Sequence, residues 1–151
     1  MATAELIKLP LLRGSHEGAD CSSCPFSTNG MPTKPVFSEH PEDPAWIVIG
    51  EGPGFNETRL SRPFVGASGD VVNKLLVKIG RARGDLFVGN VTLCMPPSGS
   101  PEAERQAAAR SCKPRLLAEL AQFPGKPVLT LGAVAARALI PQEVLDAIDP
   151  P

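Results

Sequence analysis

The stretch Gly50–Gly66, GEGPGFNETRLSRPFVG, decides how this chain is read. Gly50, Gly52, Gly54 and Pro53 crowd its first five residues, and Pro63 precedes Phe64 further along. Directly before it, Ala45–Ile49 is a short apolar run of strand formers bounded by Pro44 and Gly50, which predicts a buried strand. A loop that only reverses the chain needs far less irregularity. Glycines let backbone approach another group closely, so this loop is shaped to bring backbone against a ligand.

Outward from the loop, strands and helices alternate. SGDVVNKLLVKIG (68–80) places Val71, Val72, Leu75, Leu76 and Ile79 on one helical face, with Ser68 as N-cap and Gly80 as the stop. DLFVGNVTL (85–93) reads as strand. Residues 100–123 read as a long Ala-rich helix that starts at Ser100–Pro101 and bends at Lys113–Pro114. KPVLTLG (126–132) predicts a third strand and AVAARALI (133–140) a third helix. Upstream, residues 21–44 read as loop and Ala4–Leu12 as a short helix. The order implies an α/β domain, a three-layer sandwich with a central, mainly parallel sheet and helices on both faces.

The chain has 151 residues, 42% of them hydrophobic, enough for one globular domain with its own core. Net charge is −1, so nothing global advertises nucleic-acid binding, although a local basic face would suffice. No apolar run is long enough to span a bilayer, and the first twenty residues lack the order of a secretory signal. A cytoplasmic protein is the expectation, and in that compartment four cysteines read as ligands or buried thiols rather than disulfides. Cys21 and Cys24 form a CxxC pair; Cys94 and Cys112 stand singly. The four can supply a tetrahedral sulfur set. Spacing alone does not separate zinc from an iron–sulfur cluster, although zinc modules often carry two close pairs and here the second is wide apart.

GEGPG, then RPFVGASGDVVNKLL, resembles the first motif of the iron–sulfur (type 4) uracil-DNA glycosylases. CSSCPF resembles that family's early CxxC, NVTLCMPPSGSPEAERQAAARSC its stretch from an Asn to the closing Cys, and VLTLGAVAARALI its next strand and helix. The similarity covers about residues 20–140. It implies the uracil-DNA glycosylase fold, and hydrolysis of the N-glycosidic bond of uracil in DNA, without strand nicking, as in base excision repair. It implies a [4Fe–4S] cluster on Cys21, Cys24, Cys94 and Cys112, with zinc as the alternative. Uracil-containing DNA is the implied partner.

The resemblance also implies roles for single residues. Phe64 would stack on a flipped base, though an apolar residue after proline also packs inward. Asn90 would read the base. A carboxamide offers donor and acceptor together, matching O4 and N3–H of uracil and mismatching cytosine; an Asn that merely closes a strand is the bland reading. Glu51 would be catalytic, by holding water, stabilising positive charge on the sugar or blocking a thymine methyl. Gly50, Gly52, Pro53 and Gly54 would bring backbone N–H groups to the substrate.

One departure opens a second expectation. The family carries a His-Pro-Ser motif near its C-terminus, whereas the only histidines here are His16 and His40. Either the sequence is a truncated piece that lacks a last strand, or the domain is an impaired relative, a DNA-binding iron–sulfur module of a larger repair or replication protein. The basic run VKIGRARGD reads as a solvated helix end, with phosphate contact as the alternative.

Overall fold

The computed structural model describes residues 11–148. The apolar run forms β3, Trp46–Gly50, and the second predicted strand forms β4, Leu86–Asn90. They pair in parallel along their whole length, with Gly50 opposite Asn90. The third predicted strand, β5 (Val128–Thr130), runs parallel on the other side of β3.

The sheet has two further strands. Leu12–Arg13 (β1) and Glu39–His40 (β2) add antiparallel, giving the order β1-β2-β4-β3-β5. Residues 21–44 are therefore not all loop, and β2 covers the edge of β4. Its two residues are too few to announce themselves by alternation. Leu12 belongs to β1 rather than to a helix, and the rest of the helix expected over Ala4–Leu12 lies outside the described residues, apart from Leu11.

Alternation along the strands builds two cores. Ile47, Ile49, Phe87 and Val91 face Leu116 of α3 (Glu102–Leu120) and Ala135 of α4 (Ala133–Leu139). Val48, Leu86 and Val88 face Val72 and Leu76 of α2 (Ala67–Lys78). That is the expected three-layer arrangement, since a two-residue period turns successive side chains to opposite faces. Two short helices were not expected: α1 (Phe55–Leu60) inside the glycine-rich stretch, and α5 (Gln142–Ile148).

Helix α2 departs from its expected details. Its N-cap is Gly66, not Ser68. Only Val72 and Leu76 of the predicted face are buried; Val71, Leu75 and Ile79 are exposed. The reason is Gly69, which turns toward the sheet and packs against the Phe64 carbonyl so closely that a Cβ would overlap it. Gly80, at φ +67°, ends the helix as expected. Helix α3 continues through Pro114.

The Gly69 contact reverses an ordinary rule. Gly→Ala inside a helix normally stabilises by about 0.5–1 kcal/mol. Gly69→Ala is expected to destabilise by about 2–4 kcal/mol, because backbone rather than a flexible side chain must move. Urea denaturation measures this, and unchanged or raised stability would show that the Phe64 turn yields freely.

Candidate active site

A pocket of about 440 Å³ opens at the carboxyl ends of β3 and β4, the side of a parallel sheet where ligands bind. Strand pairing continues past those ends: Val91 N donates to Gly50 O, and Thr92 N to Glu51 O, both at 2.9 Å. The glycine loop is thereby pinned beside the segment after Asn90.

The glycines have local causes. A Cβ on Gly50 would stand 2.7 Å from both Asn90 Oδ1 and Phe64 Cζ. A Cβ on Gly52 would overlap the Thr92 hydroxyl. The small residues make room for side chains that converge on the pocket, and none of Gly50, Gly52 and Gly54 has positive φ.

Asn90 is 4% exposed and lines the pocket. Its backbone lies in the β4 ladder, while its carboxamide has no hydrogen-bond partner among the described residues. The side chain is therefore not tied to the strand end. Phe64 meets both of its readings at once: it packs into the α2-side core with Val48 and Val72, and it also lines the pocket. Its backbone has φ +52°, rare for a bulky residue. Arg83 holds this turn, Nη1 donating to Phe64 O at 2.6 Å and Nη2 to Pro63 O.

Glu57 closes the loop from the other end. Its Oε1 accepts from Val65 N (3.0 Å) and Gly66 N (2.7 Å), and its Oε2 from Gly54 N (3.2 Å). One carboxylate thus completes the capping box of α1 and holds the two amides that lead into α2, where negative charge suits both helix N-termini. Glu51, partly exposed at the pocket wall, is held by Arg105 of α3, whose Nε (2.8 Å) and Nη2 both donate to Oε1.

The four cysteines are free thiols around one small cavity. Asp20 N donates to Ser111 O at 2.8 Å, fastening the CxxC loop to α3 beside Cys112. Burial pushes the Cys94 thiol up to about 11, with Cys112, Cys24 and Cys21 adding to the effect. Burial also raises Cys21 and Cys24. Among the described residues no group of three or more His, Cys, Asp and Glu is arranged to hold a metal ion. A shared, mainly apolar cavity reached by four sulfurs nevertheless fits a cysteine-held group.

Set beside known proteins, residues 37–148 match the sequence profile of the uracil DNA glycosylase superfamily. The chain belongs to that superfamily. It is 31% identical over 124 residues to a type-4 uracil-DNA glycosylase of Pyrobaculum aerophilum, covering 80% of this chain and 60% of that protein. To the type-4 enzyme of Thermotoga maritima it is 37% identical over 116 residues, covering 76% of this chain and 58% of the relative. The chain thus spans under two thirds of the length of these curated relatives.

Of the residues singled out in the sequence, Gly50, Glu51, Gly52, Pro53, Gly54, Phe64 and Asn90 all line this one pocket. Both histidines lie elsewhere: His16 is exposed, and His40 is buried and stacked on Phe87 at 5.2 Å. Glu57, Arg83, Arg105 and Arg115 were missed. Glu57 alone had a local signal, a glycine followed three residues later by Glu at a helix start. The run VKIGRARGD is a solvated helix end at Lys78 and Arg81, which are exposed as expected; Arg83 departs from that reading, because it serves the Phe64 turn. Arg115 is 1% exposed, and its Nη2 donates to Asn90 O and Val91 O, both at 2.8 Å. A charge that far inside carries no sequence signature.

Glu39 stands behind the Phe64 turn, contacting Arg62 (2.9 Å), Arg13 (3.4 Å) and Arg83 (3.8 Å). Burial alone would raise its carboxyl, but the Arg62 hydrogen bonds and the charges of Arg62, Arg83 and Arg13 outweigh it and hold the group below its ordinary value of 4.5. A carboxyl depressed by folding stabilises fully above its unfolded value, and the contribution is lost as pH falls through the folded one. Glu39→Gln is expected to cost about 1–3 kcal/mol at neutral pH. The gap from the unsubstituted protein should narrow below pH 4.5. Denaturant titrations across the acid range measure it, and a gap constant with pH would mean that ionisation of Glu39 is not what stabilises the turn.

Proposed function

We propose that the chain is the base-binding part of a uracil-DNA glycosylase that hydrolyses the N-glycosidic bond of uracil in DNA. The observation that carries this reading is the convergence of Phe64, Asn90 and Glu51 on one pocket at the strand ends, in a superfamily whose matched relatives are named for that activity. The impaired-module reading has no observation of its own in its favour.

The base leaves the stack and enters over Gly50, with its face on Phe64 and its edge toward Asn90. The carboxamide N–H₂ donates to O4 and its oxygen accepts from N3–H. Cytosine offers a donor and an acceptor in the opposite order and is rejected. Water adds to C1′ of the sugar as the C1′–N1 bond breaks; the electron pair goes to uracil, which finally takes the proton that water gives up. Glu51 acts on the sugar side, accepting a hydrogen bond from that water and opposing positive charge on the sugar. Its Oε1 is engaged by Arg105, which orients the carboxylate. Phe55, 71% exposed at the pocket rim, offers a stacking face to a neighbouring base.

Cys21, Cys24, Cys94 and Cys112 would hold the [4Fe–4S] cluster, zinc being the rival for the same sulfur set. Bound there, the group ties the CxxC loop to α3 and to the segment after β4. Four unpaired thiols suit a reducing, cytoplasmic compartment. Among the described residues no helix is long and apolar enough to cross a membrane.

Excision of uracil from a labelled single-stranded oligonucleotide, followed by alkali cleavage of the abasic product, tests the activity. Asn90→Asp is expected to weaken discrimination of uracil from cytosine by about 1–3 kcal/mol, since a donor to O4 becomes an acceptor. Unaltered selectivity in a folded variant would remove Asn90 from base reading. For the cysteine site, Cys24→Ala should abolish bound iron, sulfide and visible absorption together. Stoichiometric zinc without iron in the unsubstituted protein would assign the site to zinc.

A further inference from the structure

We propose that the groove between α3 and α4 is a second DNA contact, which takes the phosphates of the single strand running on from the base pocket. This deepens the reading of the pocket as a DNA-base site and rests on it. The groove has a volume of about 210 Å³. Arg110, Lys113 and Arg137 line it above an apolar floor of Ala109, Val134 and Ala138, and no carboxylate is in its lining.

The charge pattern on α3 singles this groove out. Arg105 is engaged by Glu51 and Arg115 by Glu119. Arg110 and Lys113 have no ion pair among the described residues. Arg137 reaches Glu102 only at 3.9 Å across a solvent-exposed gap, a pairing that competes poorly with a phosphate. The whole chain carries −1, so three positive groups in one trough are a local concentration rather than a share of general basicity.

The groove adjoins the base pocket along both walls. Arg105 and Leu131 line the pocket, while Gln106 and Val134, adjacent or nearly so in sequence, line the groove. Both helices follow strands whose carboxyl ends face the pocket. The groove therefore lies within reach of a strand whose base occupies the pocket. The positive groups come from the interiors and far sides of helices, whose backbone N–H groups are already bonded. Contact would be through side chains alone, which favours a charged, sequence-indifferent track over a pocket for one small anion. The apolar floor suits sugar carbons between phosphates.

The test is fluorescence anisotropy of two uracil-free, labelled single-stranded probes across a salt series. One is long enough to cross the pocket mouth and the groove together; the other is a trinucleotide. In a variant carrying R110Q, K113Q and R137Q, the long probe should bind about tenfold more weakly. Its dependence of log affinity on log salt should flatten by about 2, at roughly 0.7 per phosphate. Trinucleotide binding and the melting temperature should be unchanged. Lys74 and Lys78, exposed on α2, supply the charge control: K74Q with K78Q should leave both probes unaffected. The proposal is overturned if the unsubstituted chain does not bind the long probe, if the triple variant keeps its affinity and salt slope, if both probes weaken equally, or if the α2 control loses as much. Since the probes contain no uracil, failure here leaves the excision reading standing, and absence of excision leaves this measurement interpretable.

Discussion

The left-handed backbone at Phe64 is the constraint on which the site depends. An aromatic residue at φ +52° carries about 1–3 kcal/mol of strain, and the surroundings are built to hold it there. Arg83 takes the carbonyls of Pro63 and Phe64 from one side, Gly69 leaves room for the Phe64 carbonyl on the other, and Glu57 fixes the amides of Val65 and Gly66 just beyond. The turn rotates the ring so that one face meets Val48 and Val72 while the ring also reaches the pocket beside Gly50. The clamp extends to the sheet edge, because Glu39 on β2 steadies both Arg62 and Arg83. A two-residue edge strand thus serves both sides, its Glu39 steadying the Phe64 turn while its His40 stacks on Phe87 in the core.

A second buried cation joins the pocket to the cysteines. Arg115 donates to the carbonyls of Asn90 and Val91 and shares α3 with Cys112, one turn away. Cys94 lies four residues beyond Asn90 on the same segment, and Val36 N pairs with Leu93 O at 2.8 Å. The carboxylate partner of Arg115, Glu119, is bonded by the Ser38 hydroxyl at 2.7 Å, next to Glu39. Breaking such a buried pair from one side leaves an unpaired charge, which costs far more than the pair contributes. Order at the cysteine cavity and order at Asn90 are therefore the same order. For the cysteine-held group proposed above, this offers a structural role, since no cysteine among the described residues lines the base pocket.

How much of this was legible in sequence follows from the range of each interaction. The three parallel strands and the long helix were readable because local periodicity encodes them, and the pocket residues because the Gly50–Gly66 motif and the stretch from Asn90 resemble a known family. The edge strands β1 and β2 were not, since two residues carry no period. Val71, Leu75 and Ile79 looked like core because the apolar pattern on α2 is wide; the Phe64 carbonyl against Gly69 selects which part of it turns inward. Ser68 looked like a cap because it is the first capping residue before the apolar run, whereas the helix starts after Gly66, whose amide is held by Glu57 nine residues earlier. Arg83 and Arg115 are read by composition as surface charges. Only the folded chain reveals that each is aimed at carbonyls brought from about twenty residues away.

The wall of the pocket also bears on how the proposed reaction divides its charges. Breaking C1′–N1 leaves negative charge on the base and positive charge on the sugar. Phe64 and Asn90 meet the base before and during that step almost equally, so they favour binding and selection more than rate. Charged groups act differently, because their partners appear only as the bond breaks; two unit charges 4 Å apart interact by roughly 4 kcal/mol at an effective dielectric of 20. Glu51 and Arg105 enter that step as an ion pair, each partly neutralising the other. With both guanidinium nitrogens on Oε1, the second oxygen stays available to water or sugar. Arg105 is the one cation in the described lining of this pocket. In the proposed reaction it would therefore set how strongly Glu51 acts on the sugar, fixing the geometry of the carboxylate while blunting its charge.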